Sequence, residues 1–139
     1  MLKTTLLSFM SLLLFLGCFD PEPNTQLKNT YWSLTQLKGE DAQSFDHQAE
    51  IHLVFHINNN SLHGSDGCNL IHAKYSKQKN NFSFDEISKG DVECKEGMKQ
   101  ANTFLHVLTK TDRIKIVEDN LIFYHADIEV ARFEAIENY

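Results

Sequence analysis

Histidine and cysteine are the residue types through which this chain could do metal or nucleophilic chemistry, and it has seven histidines and three cysteines. His52 and His56 lie at alternate positions of a predicted strand, so they share one face, and His63 or His72 could lie on a neighbouring strand. Imidazole nitrogens bind Zn²⁺ or Cu²⁺. The alternative is a row of polar side chains facing solvent, because the apolar residues take the opposite face. We favour the solvent-facing row and predict neither a metal site nor a cofactor.

Nucleophilic catalysis would need Cys68 as a thiolate, a neighbouring histidine and a third group to orient the pair. The sequence indicates no such set. It also lacks the GxSxG and HExxH motifs and the glycine motifs that bind phosphates or dinucleotides. We therefore predict that the protein has no catalytic residues and is not an enzyme.

The first 18 residues, MLKTTLLSFMSLLLFLGC, have the pattern of an export signal that ends in a cysteine. Lys3 gives the positive start. The uncharged run of eleven residues from Leu6 to Leu16 is too short to span a membrane but suits a signal peptide. Gly17-Cys18 after this run resembles a bacterial lipobox. We predict that residues 1–17 are removed and that Cys18 carries fatty-acyl chains, palmitate among them. A cleaved signal with a soluble product, or an uncleaved anchor, is the alternative.

Residues 18–28 are predicted to form the lipidated cysteine and an extended spacer, because this segment holds both prolines of the chain. The residue after Cys18 is Phe19, whereas an aspartate there resembles the inner-membrane retention signal of enteric bacteria. We therefore expect a lipid anchor in the outer membrane of the cell envelope, with the domain facing the periplasm.

Cys68 and Cys94 remain as a pair once Cys18 is assigned to the lipid. Exported domains lie in an oxidising compartment, where disulfides persist. A bridge across these 26 residues would stabilise the fold by roughly 3.5 kcal/mol in the chain-entropy account. We predict this disulfide. Two buried free thiols, or a catalytic or metal-binding thiolate, are the alternatives.

Length and charge restrict the domain count and the partners. The 139 residues suffice for one domain with a hydrophobic core. The net charge is −6, and removal of residues 1–17 takes away Lys3 and no acid, which leaves −7. Since there is no long basic run, nucleic acid is not an expected partner.

Alternating apolar residues predict several strands. The clearest strand contains Ile51, Leu53, Phe55 and Ile57 on one face, and the turn signal Asn58-Asn59-Asn60 follows it. A polar loop is predicted over 39–48. Further strands are predicted to begin near Tyr31, Ser61, Leu70, Phe82, Arg113, Leu121 and Val130, with turns at Asp119-Asn120 and Ala126-Asp127.

Residues 95–110 change to the period of a helix. Met98, Ala101, Leu105 and Leu108 recur at intervals of three and four, which is typical of an amphipathic helix that packs on a sheet. Strands, one helix and then more strands predict an α+β fold, in which an antiparallel, strongly curved sheet packs against a single α-helix.

Four features now combine: a first strand that contains Trp32, a Gly-Cys-Asn triplet, a second cysteine before the helix, and closing strands. Together they resemble the META/HslJ domain, a family that includes small heat-shock-associated lipoproteins of bacteria. The resemblance extends over about Leu27 to Ile136. The matching residues are Asn29 to Leu34, Gly64 to Asn69, Tyr75, Phe84, Cys94, Phe104, Leu108, Leu121 and Phe133.

The resemblance implies a partly open β-barrel or curved sheet with one helix over residues 29–139. It also implies a role in heat shock, outer-membrane integrity or antibiotic tolerance, and it supplies no catalytic residues. Within the triplet, Gly67 permits a turn and Asn69 can bond local backbone amides. Cys68 would fasten the segment to the helix start near Cys94. With Trp32, these residues form the predicted structural motif.

We therefore expect a non-enzymatic envelope lipoprotein whose sheet binds an envelope protein, an unfolded segment or a lipid acyl chain. The alternative is a barrel that holds a hydrophobic small molecule. A barrel filled by side chains would favour recognition at the surface, and a hollow one would favour an internal ligand.

Overall fold

The computed structural model describes residues 25–137, and this part of the chain forms nine strands and one helix. The predicted signal peptide, Cys18 and residues 19–24 of the spacer lie outside the described residues. Helix α1 (Met98–Lys110) separates six strands from the last three. The strands are β1 (Tyr31–Leu37), β2 (Glu40–Asp41), β3 (His52–Phe55), β4 (Ser61–Ser65), β5 (Leu70–Gln78), β6 (Asn81–Lys89), β7 (Arg113–Val117), β8 (Asn120–His125) and β9 (Ile128–Ile136).

The strands form one antiparallel sheet in the order β6-β5-β4-β3-β1-β9-β8-β7, with β2 paired to β1. The sheet curls into a half-barrel, so the predicted α+β class, the strong curvature and the single helix are all confirmed. The first strand, β1, lies between β3 and β9, which come from opposite halves of the chain. Within residues 25–137, no helix is both long and apolar enough to cross a membrane.

The two outer strands, β6 and β7, come close to each other without forming a paired ladder in the described sheet. The Phe82 N–H donates to the carbonyl oxygen of Asp112 at 2.8 Å, where the two strands begin. Helix α1 packs against β6 beside this opening. This bond therefore joins the two edges of the half-barrel where β6 and β7 begin, and the helix packs against the β6 edge.

Two irregularities in the sheet explain apolar positions that simple alternation does not. In β1, Trp32, Leu34 and Leu37 are all buried. In a regular strand Leu37 would face outward, because it lies three residues after Leu34. The pairing of β1 with β9 shifts between Leu34 and Gln36, which is a β-bulge, and the extra residue returns Leu37 to the inner face. A similar shift in the β5–β6 pairing accompanies the inward position of Ile87.

Some predicted details are wrong. Ile57 is 59% exposed, because β3 ends at Phe55 and the chain turns back through a bond from the His56 N–H to the Ser61 carbonyl. The predicted polar loop contains β2, which folds back on β1. The turn after β7 lies one residue early, at Glu118-Asp119, where Glu118 adopts a φ of 53°. The helix begins at Met98 rather than at residue 95, since Gly97 occupies its N-cap in a left-handed conformation.

Candidate functional site

The loop between β4 and β5 is held by the side chains of Asp66 and Asn69, which are 1% and 4% exposed. One carboxylate oxygen of Asp66 accepts the N–H groups of Cys68, at 2.8 Å, and Asn69. Gly67 takes a φ of 91° between them, a conformation that favours glycine. Sequence reasoning gave structural roles to Gly67, Cys68 and Asn69. It counted Asp66 among the matching residues without a role, although an aspartate two residues before the bonded amide is typical of such turns.

The same loop is fastened to the segment that leads into α1. The Asn69 amide forms two bonds with the backbone of Val92: its oxygen accepts the N–H at 2.8 Å, and its nitrogen donates to the carbonyl at 2.9 Å. A disulfide joins Cys68 to Cys94, with the two Cα atoms 5.8 Å apart. These contacts make the Gly-Cys-Asn segment a structural clamp. Because Cys68 and Cys94 are joined in a disulfide, neither sulfur is a thiolate that could act as a nucleophile.

Trp32 lies apart from this clamp. Its side chain is fully buried in the half-barrel, and the indole N–H donates to the Leu27 carbonyl at 3.0 Å. The structure therefore brings together Gly67, Cys68, Asn69 and Cys94, whereas Trp32 fixes the chain segment that enters the domain.

Side chains fill the interior of the half-barrel. The largest fully buried ones are five aromatic residues, and they pack with aliphatic residues into one core. Phe123 lies between Phe84 and Phe133, with ring centroids 5.3 and 4.8 Å away. The five aromatic residues are Trp32, Phe55, Phe104, Phe123 and Phe133.

Among the side chains of residues 25–137, one buried polar atom has no hydrogen-bond partner. The Tyr75 hydroxyl is buried without a hydrogen bond, while its ring stacks on Phe82 at 5.6 Å and meets the edge of Phe55 at 5.2 Å. An unpaired buried hydroxyl costs about 1–3 kcal/mol. We expect Tyr75→Phe to leave the free energy of unfolding unchanged or to raise it by about 1 kcal/mol, as measured by urea denaturation.

Tyr31→Phe is the matched control, since the Tyr31 hydroxyl donates to Glu50 at 2.9 Å. That variant should lose about 1 kcal/mol of stability. A loss from Tyr75→Phe as large as that from Tyr31→Phe would show that the Tyr75 hydroxyl has a partner in solution.

The predicted histidine row lies on the outer face of β3, β4 and β5. His63 is paired across the sheet with His72, and its Nδ1 lies 3.1 Å from Nε2 of His56. The ring of His52 stacks on Tyr31, with centroids 4.4 Å apart. Within residues 25–137, no set of three or more His, Cys, Asp or Glu side chains is arranged to hold one metal ion. The close His56–His63 contact requires one ring to donate and the other to accept, so both cannot be charged there.

Burial lowers the pKa of His63 below its usual range, and the positive charges of His56, His52 and His72 lower it further. The folded protein therefore binds a proton at His63 less readily than the unfolded chain does. The resulting stability is fully present above a pH of about 6.5 and is lost as the pH falls below that value. We expect thermal unfolding of His63→Gln to depend less steeply on pH than that of the wild type in this acidic range.

His106→Gln, at an exposed position of α1, is the control for that experiment. The difference between the pH profiles of the two variants gives the contribution of His63 in the histidine row. Equal pH profiles for wild type and His63→Gln would contradict the expected contribution of His63.

Comparison with known proteins gives a family and a fold. A family model described as META domain matches residues 25–137. An NMR structure of a protein from Burkholderia xenovorans is 20% identical, with a TM-score of 0.65, over 85% of this chain and 92% of that one. A second NMR structure is 14% identical, with a TM-score of 0.61, over 78% of this chain and 90% of that one. No curated protein matches significantly.

Proposed function

This chain belongs to the META domain family, and from that premise we propose that it is a non-enzymatic lipoprotein of the cell envelope, lipid-anchored and engaged in envelope stress or antibiotic tolerance. Its half-barrel binds an envelope partner through the outer surface.

The filled interior is the observation that carries this proposal. Binding inside the barrel would require the removal of rings such as Phe55, Phe123 and Phe133, which are fully buried and pack on one another or on neighbouring rings. Displacing such side chains costs several kcal/mol each. The alternative of a hydrophobic small molecule inside the barrel is therefore disfavoured, and recognition is assigned to the outside.

Anchoring through Cys18 is supported by the export signal and by the short connection to the domain. Seven peptide steps separate Cys18 from Thr25, where the described structure begins. A thioether-linked diacylglyceryl group, with a further acyl chain on the amine, would give the several buried chains that stable anchoring needs.

The test has two measurements on cells that produce the full chain. Metabolic labelling with palmitate followed by mass spectrometry should find an acylated mature protein that begins at Cys18. Cross-linking of intact envelopes followed by pull-down should then enrich a partner of the wild type. Phe19→Ala is the matched control for Cys18→Ala, which should lose both the label and the membrane fraction.

Two results would contradict the proposal. An unmodified chain recovered with residues 1–17 intact would overturn the lipid anchor. Labelled protein without any partner enriched over the Cys18→Ala sample would overturn partner recognition.

A further inference from the structure

The outer strand β7 leaves one of its two edges unpaired in the part of the chain that the structure describes. It pairs with β8 alone, because it stands last in the order of the sheet. Strand β6, at the other end of that order, approaches β7 where the two strands begin. An unpaired strand edge presents backbone N–H and C=O groups that can pair with a further strand. We call this side of β7 the free edge.

The register of the β7–β8 hairpin shows which backbone groups face the free edge. Val117 and Asn120 are partners across a turn of two residues, so they bond to each other through their backbone groups. Bonded and non-bonded pairs alternate along an antiparallel ladder, so Lys115 also bonds to β8. Ile114 and Ile116 therefore turn their N–H and C=O groups away from β8 and towards the free edge.

The β5–β6 hairpin follows the same rule. Gln78 and Asn81 are partners across a turn of two residues, so the next residue, Phe82, turns its N–H away from β5. That N–H donates to the Asp112 carbonyl at 2.8 Å. The outward backbone groups of a hairpin strand thus bond to a chain segment that lies beside it.

A positively charged groove lies between the start of β7 and the turn that joins β5 to β6. Lys77, Lys79 and Lys115 line it with exposed side chains, and within residues 25–137 none of the three forms a salt bridge. Arg113 also lines the groove but pairs with Asp127 at 3.1 Å. The remaining described lining residues are uncharged: Asn80, Asn81, Phe82 and Ile114. We call this site the lysine groove.

The two faces of β7 differ in chemistry. Ile114 and Ile116 are partly buried and pack against the hydrophobic core, so they mark the inner face. Lys115 lies between them on the outer face and is exposed. An added strand continues both faces, because the side chains of paired residues lie on the same side of a sheet. The strand that matches the free edge therefore alternates apolar residues on the inner face with acidic residues on the outer face.

A second copy of this chain is a poor occupant of the free edge. Pairing two β7 strands edge to edge would bring two lysine grooves together, and like charges that face each other across strands are destabilising. Lysine on an edge strand also opposes unwanted pairing, so an added strand must neutralise it. Charge complementarity thus favours an acidic segment of another protein.

We propose that the free edge of β7 binds an extended segment of a partner protein by strand addition, and that the lysine groove selects a segment in which acidic and apolar residues alternate. Bonds to the backbone of Ile114 and Ile116 supply affinity, and the lysines supply selectivity. The inference names the partner's chemistry for the proposed function. It rests on the partner recognition in that proposal and not on the lipid anchor.

The test uses the chain from residue 18 with Cys18→Ser, so that acylation plays no part. The probe is a fluorescein-labelled peptide of alternating glutamate and valine, and its binding is followed by anisotropy. We expect binding that weakens as salt is added, and none by a peptide with lysine in place of glutamate. With the glutamate peptide bound, the amides of Ile114 and Ile116 should exchange their hydrogens about tenfold more slowly, as measured by NMR. The Lys115 amide, which already bonds to β8, should change less.

Matched variants separate the groove from general charge. Lys77→Ala/Lys79→Ala/Lys115→Ala should weaken peptide binding by about tenfold, because each lost ion pair contributes a fraction of the binding free energy. The control Lys38→Ala/Lys95→Ala/Lys99→Ala removes the same charge at exposed positions outside the groove, and it should bind within about twofold of the wild type. Replacing the three groove lysines with arginine should preserve binding, which separates a loss of charge from a loss of fold.

Four results would overturn the inference. They are equal weakening by the two alanine variants, equal binding of the lysine peptide, unchanged exchange at Ile114 and Ile116 with saturating peptide, and protection of these amides that rises with protein concentration alone. The last result would assign the free edge to a second copy.

The peptide experiment involves neither the envelope nor the anchor, so the two proposals can fail separately. An envelope partner that cross-links equally to the wild type and to the alanine variant of the groove would contradict this inference and leave the proposed function standing. Peptide binding without any enriched envelope partner would contradict the proposed function instead.

Discussion

Replacing both bridged cysteines, as Cys68→Ala/Cys94→Ala, is expected to lower the free energy of unfolding by about 3.5 kcal/mol. The bridge closes a loop with a sequence separation of 26 residues, and its loss returns that conformational freedom to the unfolded chain. It also connects the β4–β5 loop to the segment before α1, in addition to the two bonds between Asn69 and Val92. Urea denaturation monitored by Trp32 fluorescence measures the loss.

The matched comparison is the wild type unfolded with and without a reductant. Reduction should reproduce most of the loss in the wild type and none in the double variant. A thiol assay on the unfolded, unreduced wild type should find no free thiol at Cys68 or Cys94. Two reactive thiols, together with an unchanged unfolding curve in reductant, would show that the bridge is absent in solution.

Gly64→Ala is the second change with a large expected effect, about 3 kcal/mol or more of lost stability. Gly64 faces Leu53 in the β3–β4 pairing, and a Cβ atom there would overlap the backbone carbonyl of His52. That carbonyl belongs to a strand between two neighbours, so it cannot move without disturbing the sheet. The wild type and the variant are compared by thermal and urea unfolding.

Gly39→Ala is the control for this prediction. Gly39 has a φ of 83° but open space around it, so alanine there incurs only the cost of the left-handed conformation, about 1 kcal/mol. If Gly64→Ala costs no more than Gly39→Ala, close backbone approach is not the reason for glycine at that position.

The strands and the helix could be predicted from the sequence because each buries one face. Apolar residues therefore recur at a regular spacing along the sequence, every second residue in a strand and every three or four residues in a helix. The inward residues Leu53, Phe55, Phe82 and Phe84 are all buried as alternation requires. In α1 the inner stripe is centred on Phe104 and Leu108, which are fully buried. The family resemblance was likewise available from the motifs, and the family model confirms it.

The remaining features depend on contacts between distant residues, which leave no local period. The bulge near Leu34 is set by pairing with β9, about 100 residues later. The pairing of Asn69 with Val92 and the bond between Phe82 and Asp112 join segments that no spacing rule connects.

The place of β1 in the middle of the sheet has a consequence for biogenesis. Its partner β9 spans Ile128–Ile136, so this partner leaves the ribosome long after β1 does. Until then β1 lacks one neighbour, and the many contacts of high sequence separation make folding slow compared with a helical protein. Assembly of the sheet around β1 therefore waits until β9 has been synthesised.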